Sequence, residues 1–360
     1  MGIQEAWVTE RIRKITPPSE EARAEAKARW MACAHPLGSL GLLETIMEDA
    51  AALTGSAKLD IEKKAVLVFC ADHGVVAQGV SQCDSSVTTA IVRGLAAGRT
   101  AVCNMAERAG CQVIPVDLGV RDLPPAEGVL SRRVGNGTGD FTLGPAMTRE
   151  QAALAIRYGM ELVEELKNQG VGLLATGEAG IGNTTASTAM ACVWTGLPPE
   201  KLTGRGAGLS DEGLRRKISA VQKALEVNGP DANDPLDVLA KVGGFDIAAM
   251  CGAFLGGALY KVPVLADGFI SSVAALCALR LCPAAEKAVF ASHVSAEPAG
   301  RLLLELLEKK PLLSAGMRLG EGTGAVAVMP LWDMAAAVYE DSYTFSECGI
   351  EAYVPLGEET

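Results

Sequence analysis

Short hydrophobic runs, each followed by a polar or glycine-containing turn, recur through the middle of the chain. They are too short for ordinary helices and contain almost no polar residues, which is typical of strands buried on both faces of a parallel sheet. We therefore predict strands over residues 65–69, 113–116, 171–175, 262–266 and 288–291.

The segments between these runs have the spacing of hydrophobic residues expected of helices. Clear examples cover residues 148–168, 210–227 and 269–281. Strands that alternate with helices predict an α/β fold with a doubly wound, mostly parallel sheet of the Rossmann-like type. We assign it to a large domain at 61–319, and we assign residues 1–60 and 320–360, which read as helical, to a smaller lobe formed by both termini.

Glycine and polar residues are concentrated where the predicted strands end. In a doubly wound sheet, ligands bind beyond the carboxyl ends of the strands. The sequence therefore predicts a binding site built from the turns at 71–74, 117–119, 176–178, 267–268 and 292–293.

Composition excludes several classes of protein. The net charge of -11 and pI near 5.0 leave no basic surface for nucleic acid. Residues 1–30 lack the apolar segment of a signal peptide, and the apolar run at 247–260 is too short to cross a membrane, so we expect a cytoplasmic protein without a membrane partner. The 10 cysteines include no CxxC pair and indicate reduced core thiols.

Two acidic residues, Glu178 and Glu321, stand between glycines. Glycine lets a ligand approach the main chain, so two such acids suggest a pocket with a general base. The alternative is that each is a loop acid beside turn glycines. No HExxH or GxSxG motif is present, and no GxGxxG turn follows the first strand, so we expect no metal, no serine nucleophile and no dinucleotide cofactor.

The segment 177–185 leads from a strand end into a helix and carries Gly180, Gly182, Asn183 and Thr184. Backbone amides and hydroxyl groups at a helix start suit a phosphate, although a purely structural turn is an equal alternative. Lys217 lies two turns into a helix capped at Ser210, from which it could reach a phosphate; an exposed helix lysine is the commoner case.

Seven segments in order resemble the nicotinate-nucleotide:dimethylbenzimidazole phosphoribosyltransferase family. They are HPLGSLGLLE at 35–44, KAVLVFCADHG at 64–74, GEAGIGNTT at 177–185, KVGGFD at 241–246, PVLADGF at 263–269, SHVSAE at 292–297 and MRLGEGTG at 317–324. The resemblance implies transfer of a phosphoribosyl group from nicotinate mononucleotide to a small aromatic acceptor, with inversion and without a cofactor. It makes Glu321 the general base, places Glu178 near the donor ribose, and assigns the phosphate to Gly180, Lys217 and Ser295.

One part of the acceptor pocket departs from the family pattern. Where the family has Ser and Gln, this chain has Cys83 and Ile91, and Leu319 completes the predicted pocket. A more apolar pocket suits phenol or p-cresol as the acceptor. In this respect the chain resembles the subunits of the heterodimeric enzymes that activate those two compounds. The alternatives are neutral drift with dimethylbenzimidazole still the acceptor, and a weakly active partner subunit.

The resemblance also implies a dimer, either a homodimer or a heterodimer with a homologous subunit. The apolar helical segment 335–339 could form its interface, or it could pack inside its own lobe.

Overall fold

The computed structural model describes residues 2–353, so residue 1 and residues 354–360 of the predicted terminal lobe lie outside the described part of the chain. Within residues 2–353, a six-stranded sheet has the order β3-β2-β1-β4-β5-β6, and each neighbouring pair is parallel. The strands are β1 Lys64–Ala71, β2 Cys111–Gly119, β3 Leu130–Ser131, β4 Leu173–Ala179, β5 Val264–Ala266 and β6 Val289–Ala291.

The sheet confirms the predicted doubly wound α/β fold. Every residue of β1 is buried, as expected for a central strand covered on both faces. Strand β4 begins two residues later than predicted and continues to Ala179, so Glu178 lies within the strand and not in the turn after it. The two-residue β3 was not predicted, because it is too short to leave a hydrophobic pattern.

Helices surround the sheet. Those before the first strand are α1 Ile3–Ile12, α2 Glu20–Ala32 and α3 Leu42–Thr54. The remainder are α4 Ser86–Ala96, α5 Ala101–Arg108, α6 Arg149–Asn168, α7 Asn183–Thr195, α8 Pro199–Leu202, α9 Asp211–Asn228, α10 Pro235–Val242, α11 Phe245–Tyr260, α12 Phe269–Leu281, α13 Gly300–Leu306 and α14 Thr323–Asp341. Two short 3-10 helices cover Gly74–Gln78 and Pro283–Ala288.

The three helices predicted from hydrophobic spacing are confirmed as α6, α9 and α12. Thr148 begins α6 with a capping box, in which its side chain accepts a hydrogen bond from the Gln151 amide and the Gln151 side chain bonds the Thr148 amide. Ser210 caps α9 by accepting a hydrogen bond from the Gly213 amide.

Helices α6 and α11 pack so closely that glycine is required at their contact. A side chain at Gly159 would collide with the carbonyl oxygen of Ala249, and one at Gly252 would collide with that of Ile156. Helix α11 also contacts β1 and β4. This confirms the interpretation of residues 247–260 as a tightly packed core helix.

The terminal helices pack onto the rest of the chain. Helix α3 contacts α2 and α14, and α14 contacts α5 and β4. Ala335 and Tyr339 of α14 are buried, and the Tyr339 hydroxyl donates a hydrogen bond to the Ala57 carbonyl at 2.9 Å. One face of segment 335–339 therefore packs within its own chain, while Ala337 is exposed, and the interface role of the segment stays a prediction. The division into a large domain and a lobe stays a prediction.

No helix within residues 2–353 combines the length and the apolar character needed to cross a membrane.

Candidate active site

A cavity of about 230 Å³ lies at the carboxyl ends of β4, β5 and β6. This is the edge of the sheet at which the sequence predicts a binding site. The cavity brings together many of the residues singled out from the sequence: Ile91, Glu178, Gly180, Asn183, Ser295, Leu319 and Glu321 line its wall. Cys83, Gly182, Thr184 and Lys217 do not line it.

The two glycine-flanked acids belong to segments that fit into each other. A carbon added at Gly177 would lie 2.5 Å from the carbonyl carbon of Glu321, so β4 approaches the Glu321 backbone directly. In the other direction, a carbon added at Gly320 would collide with the carboxylate of Glu178. Both glycines are therefore needed for close contact between the two segments.

Glu321 occupies an uncommon backbone conformation. Its φ is 61°, and its neighbours Gly320 and Gly322 have φ of 90° and 87°. Left-handed conformation is disfavoured for a residue with a side chain, so surrounding contacts must hold it. The Asp267 carboxylate contacts the residues directly after Glu321, because it accepts hydrogen bonds from the amides of Gly322 at 3.2 Å, Gly324 at 2.7 Å and Ala325 at 3.0 Å.

The Glu321 carboxyl is largely buried and incompletely paired. Its Oε2 atom is buried and has no hydrogen-bond partner among the described residues. Burial raises the pKa of Glu321, while hydrogen bonds from the Val102 amide and the Thr100 side chain oppose that rise. A carboxyl group with a raised pKa at a cavity wall is suited to accept a proton.

Glu178 lies deeper in the same cavity and is 9 % exposed. Burial raises its pKa well above the usual value, and the negative charges of Asp246 and Asp267 raise it further. A hydrogen bond from the Asn183 amide group acts in the opposite direction. Glu178 therefore retains its proton to higher pH than an exposed glutamate, and in that form it can donate a hydrogen bond.

Lys217 is buried behind one side of the cavity. Its Nζ atom donates a hydrogen bond to the Thr184 hydroxyl at 2.7 Å, and both atoms lie 3.4 Å from the position of a carbon added at Gly206, a residue of the cavity wall. Burial lowers the pKa of Lys217 to about 8. The ordinary alternative of an exposed helix lysine is wrong, since Lys217 is only 1 % exposed.

The turn before α7 offers fewer open amides than its sequence suggests. The Ile181 amide donates to the Thr88 hydroxyl at 3.2 Å, the Asn183 amide to the Gly180 carbonyl at 3.2 Å, and the Thr185 amide to Gly182 at 2.9 Å. These bonds stabilise the turn itself. A phosphate at this end of the cavity would therefore depend mainly on side chains such as that of Lys217.

The predicted acceptor residues are separated by the fold. Ile91 of α4 and Leu319, which is 57 % exposed, both line the cavity. Cys83 lies in the loop before α4 and is outside the cavity wall, with its amide bonded to the Ser81 hydroxyl at 3.3 Å. Of the two departures from the family pattern, only the one at Ile91 alters the wall.

Sequence reasoning did not assign roles to several buried polar residues of the site. Asp267 and His293 line the cavity, and burial lowers the pKa of His293. Beneath the turn before α7, His73 Nε2 lies 3.0 Å from Asp246 Oδ1, and neither side chain is exposed. The sequence did mark these residues, because they lie at predicted strand ends or in the KVGGFD segment. Their pairing could not be predicted, because the paired residues are far apart in the sequence.

Within residues 2–353, no group of His, Cys, Asp and Glu side chains has the arrangement of a metal site.

Comparisons with known proteins agree over nearly the whole chain. A family model described as phosphoribosyltransferase matches residues 15–350. The nicotinate-nucleotide–dimethylbenzimidazole phosphoribosyltransferase of Acetivibrio thermocellus is 46% identical over 344 residues, which are 96% of this chain and 98% of that protein. The protein of the same name from Ruminiclostridium cellulolyticum is 43% identical over 347 residues, 96% of this chain and 99% of that one. The crystal structure of CobT from Thermus thermophilus has a TM-score of 0.87 and 40% identity, covering 92% of this chain and 100% of that one.

Proposed function

The chain belongs to the nicotinate-nucleotide–dimethylbenzimidazole phosphoribosyltransferase family, and on that premise we propose that it transfers the 5-phosphoribosyl group of nicotinate mononucleotide to an aromatic acceptor and releases nicotinate. The observation that carries this proposal is the Glu321 carboxyl, which is held at a cavity wall with one buried oxygen that has no partner among the described residues. We expect the protein to act in the cytoplasm.

In this proposal Glu321 is the general base. The acceptor attacks the anomeric carbon of the ribose, the bond to the pyridinium nitrogen breaks, and Glu321 takes the acceptor's proton. Attack from the face opposite the leaving group inverts the configuration from β to α. Nicotinate leaves with the electron pair of the broken bond, so the positive charge of the pyridinium is neutralised and no metal-bound leaving group is needed. A positioned base typically contributes about 10²- to 10⁴-fold.

Glu178 is proposed to contact the donor ribose. Its raised pKa favours the protonated form, which can donate a hydrogen bond to a ribose hydroxyl while Asn183 holds its other oxygen. As a positive charge develops on the ribose ring, the nearby carboxylate of Glu321 favours it electrostatically.

The donor phosphate is proposed to bind at the Lys217 side of the cavity. Lys217 supplies the positive charge, and its ammonium group donates a hydrogen bond to the Thr184 hydroxyl. Ser295 and Gly180 belong to the cavity wall and would contact the phosphate from there. Gly182 and Asn183 shape the turn. Lys217 has the strongest claim of these residues, because its ammonium group is buried and its hydrogen bond goes to a neutral hydroxyl, as expected of a cation placed where an anion binds.

Dimethylbenzimidazole is the first candidate for the acceptor. The names of the relatives support it, and so does the location of Cys83 outside the cavity, which removes half of the sequence argument for a different acceptor. Phenol or p-cresol is the second candidate, and the observation that favours it is the apolar Ile91 side chain in the wall.

The noncatalytic partner subunit is the main rival proposal. Such a subunit would keep the fold while losing the need for an ordered base, whereas this chain retains both acids and the close glycine contacts between them. A homodimer or a heterodimer with a homologous subunit remains a prediction from the resemblance, and mass measurement in solution tests it.

The test is to incubate the purified chain, alone and with any homologue encoded beside it, with nicotinate mononucleotide and each acceptor. Release of nicotinate together with an α-riboside phosphate supports the proposed transfer. Turnover of dimethylbenzimidazole with none of phenol would exclude the second acceptor. Unchanged transfer after Glu321→Gln would mean that this chain's site is not the working one.

A further inference from the structure

Asp267 has an unusual location for an acid at the end of a strand. It follows β5 directly, is 4 % exposed, and directs both carboxylate oxygens at the backbone of the segment that carries Glu321. Its partners are 55, 57 and 58 residues further along the chain. It thus joins the end of one strand to the start of helix α14.

The contact replaces a cap that the helix itself does not provide. Gly322 is the N-cap of α14 and has no side chain with which to bond the first amides. Helix starts leave such amides unpaired, and a carboxylate near them is favoured by the helix dipole. Asp267 Oδ1 accepts from Gly324 and Ala325, while Oδ2 accepts from Gly322.

These bonds act on the residue beside the proposed base. Glu321 is in the left-handed region at a φ of 61°, directly before Gly322. Without an external contact this conformation is costly for a residue with a side chain, and the segment would relax toward a commoner one. The Oδ2 bond fixes the Gly322 amide, which belongs to the same peptide unit as the Glu321 carbonyl.

We propose that Asp267 is the positioning residue that holds Glu321 in its left-handed conformation, and thereby aims the base at the acceptor. This inference rests on the proposed function for its effect on catalysis, but its structural part stands apart from it. Asp267 acts through Glu321, so removing its hydrogen bonds changes the chemical step and leaves the donor phosphate contacts in place.

Two substitutions remove different parts of the contact. Asp267→Asn can keep the Oδ1 bonds to Gly324 and Ala325, but it places an amide group, which cannot accept, against the Gly322 amide. Asp267→Ala removes all three bonds. Asp341→Asn is the matched control, because Asp341 is an exposed acid at the far end of the same helix.

The first measurement does not depend on activity. Amide hydrogen exchange at Gly322 should be about tenfold or more faster in Asp267→Asn than in the wild type, and exchange at Gly322, Gly324 and Ala325 should all rise in Asp267→Ala. The control should match the wild type. Unchanged exchange at Gly322 in a folded Asp267→Asn protein would overturn the inference, even if the wild type showed no transfer activity. If Asp267→Ala does not fold, exchange at Gly322 in Asp267→Asn still tests the inference.

The second measurement asks whether Asp267 acts through Glu321. We expect Asp267→Asn to lower kcat about 10- to 100-fold with little change in the Kd for nicotinate mononucleotide. In a Glu321→Gln background the same substitution should have almost no further effect, because the base it positions is gone. Losses that multiply would show an independent role and overturn the inference. An inactive wild type would instead count against the proposed function, and exchange would still test the contact.

Discussion

Gly177 of β4 lies directly against the backbone of Glu321, with a distance of 2.5 Å from the carbonyl carbon of Glu321 to the point where a side chain at Gly177 would begin. No real side chain fits there, so the Glu321 backbone can take its position only because residue 177 is glycine. Strand β4, which carries Glu178, therefore also fixes how closely the segment that carries Glu321 approaches the sheet.

Gly177→Ala should displace the Glu321 segment. The added carbon requires a backbone shift, and we expect a loss of about 1–3 kcal/mol in the free energy of unfolding. We also expect transfer activity to fall about 100-fold, because a displacement near 1 Å misaligns the base. Denaturant unfolding and steady-state kinetics measure the two effects. Gly144→Ala is the control, since no described atom outside residue 144 and its two chain neighbours lies within 4 Å of its added carbon. Equal activity of the two variants would contradict the prediction.

Donor binding should weaken above pH 8. The pKa of Lys217 is lowered to about 8 because the ammonium group is buried, and only its charged form attracts a phosphate. As pH rises through that value the cationic fraction falls, so kcat/KM for nicotinate mononucleotide should be about tenfold lower at pH 9 than at pH 7.

Lys217→Arg provides the control for this pH dependence. A guanidinium group stays charged over this range, so the variant should lose the fall above pH 8, even if its kcat/KM is lower throughout. A fall of the same size in Lys217→Arg would assign the pH dependence to another group.

The loss of the Glu178 proton should lower the free energy of unfolding as pH rises. Its pKa is raised in the folded state, mainly by burial, so the folded chain holds a proton that the unfolded chain has released. The stabilisation due to this proton is present at low pH and is lost as pH rises toward the folded-state pKa. Glu178→Gln should remove that loss, so its stability relative to wild type should increase between pH 5.5 and 7.5. Urea unfolding measures this, and exposed Glu226→Gln should show no such trend.

Acceptor preference should respond to Ile91 and not to Cys83. Ile91→Gln places a hydrogen-bonding amide in the cavity wall, and we expect it to shift the ratio of kcat/KM for dimethylbenzimidazole over phenol toward dimethylbenzimidazole by about 10- to 100-fold. Cys83→Ser should leave the ratio nearly unchanged, because Cys83 is outside the wall. A larger effect at Cys83 would show that the loop before α4 moves into the site when the acceptor binds.

The sheet was predictable because its strands are buried on both faces. Strand β1 has an unbroken hydrophobic core, and the pattern survives without knowledge of its neighbours. Strand β3 could not be predicted, because two residues, one half-buried and one exposed, carry no periodic signal. Strand β4 ends four residues later than predicted, since Gly177 and the charged Glu178 interrupt the hydrophobic run but are held in the strand by pairing with β1.

Site residues were predictable where their immediate neighbours in the sequence mark them. Glu178 and Glu321 stand out because glycines flank them, and both line the cavity. The role of Asp267 was not predictable, because its partners lie more than 50 residues away and are backbone amides, which leave no mark on the sequence. The burial of Lys217 depends likewise on packing of α9 against α7.

The residues that line the cavity come from two parts of the fold, the sheet with the segments packed on it and helix α4. Glu178 lies near the end of β4 and Asp267 directly after β5, and the Glu321 segment packs against Gly177 of β4 with no room for a side chain there. Ile91, by contrast, projects from helix α4, which lies outside the sheet. The consequence is that the residue proposed to contact the acceptor can change separately from the residues proposed to carry the reaction. We therefore expect substitutions on helix α4 to change which aromatic acceptor is used, while the residues proposed to carry the reaction stay in place.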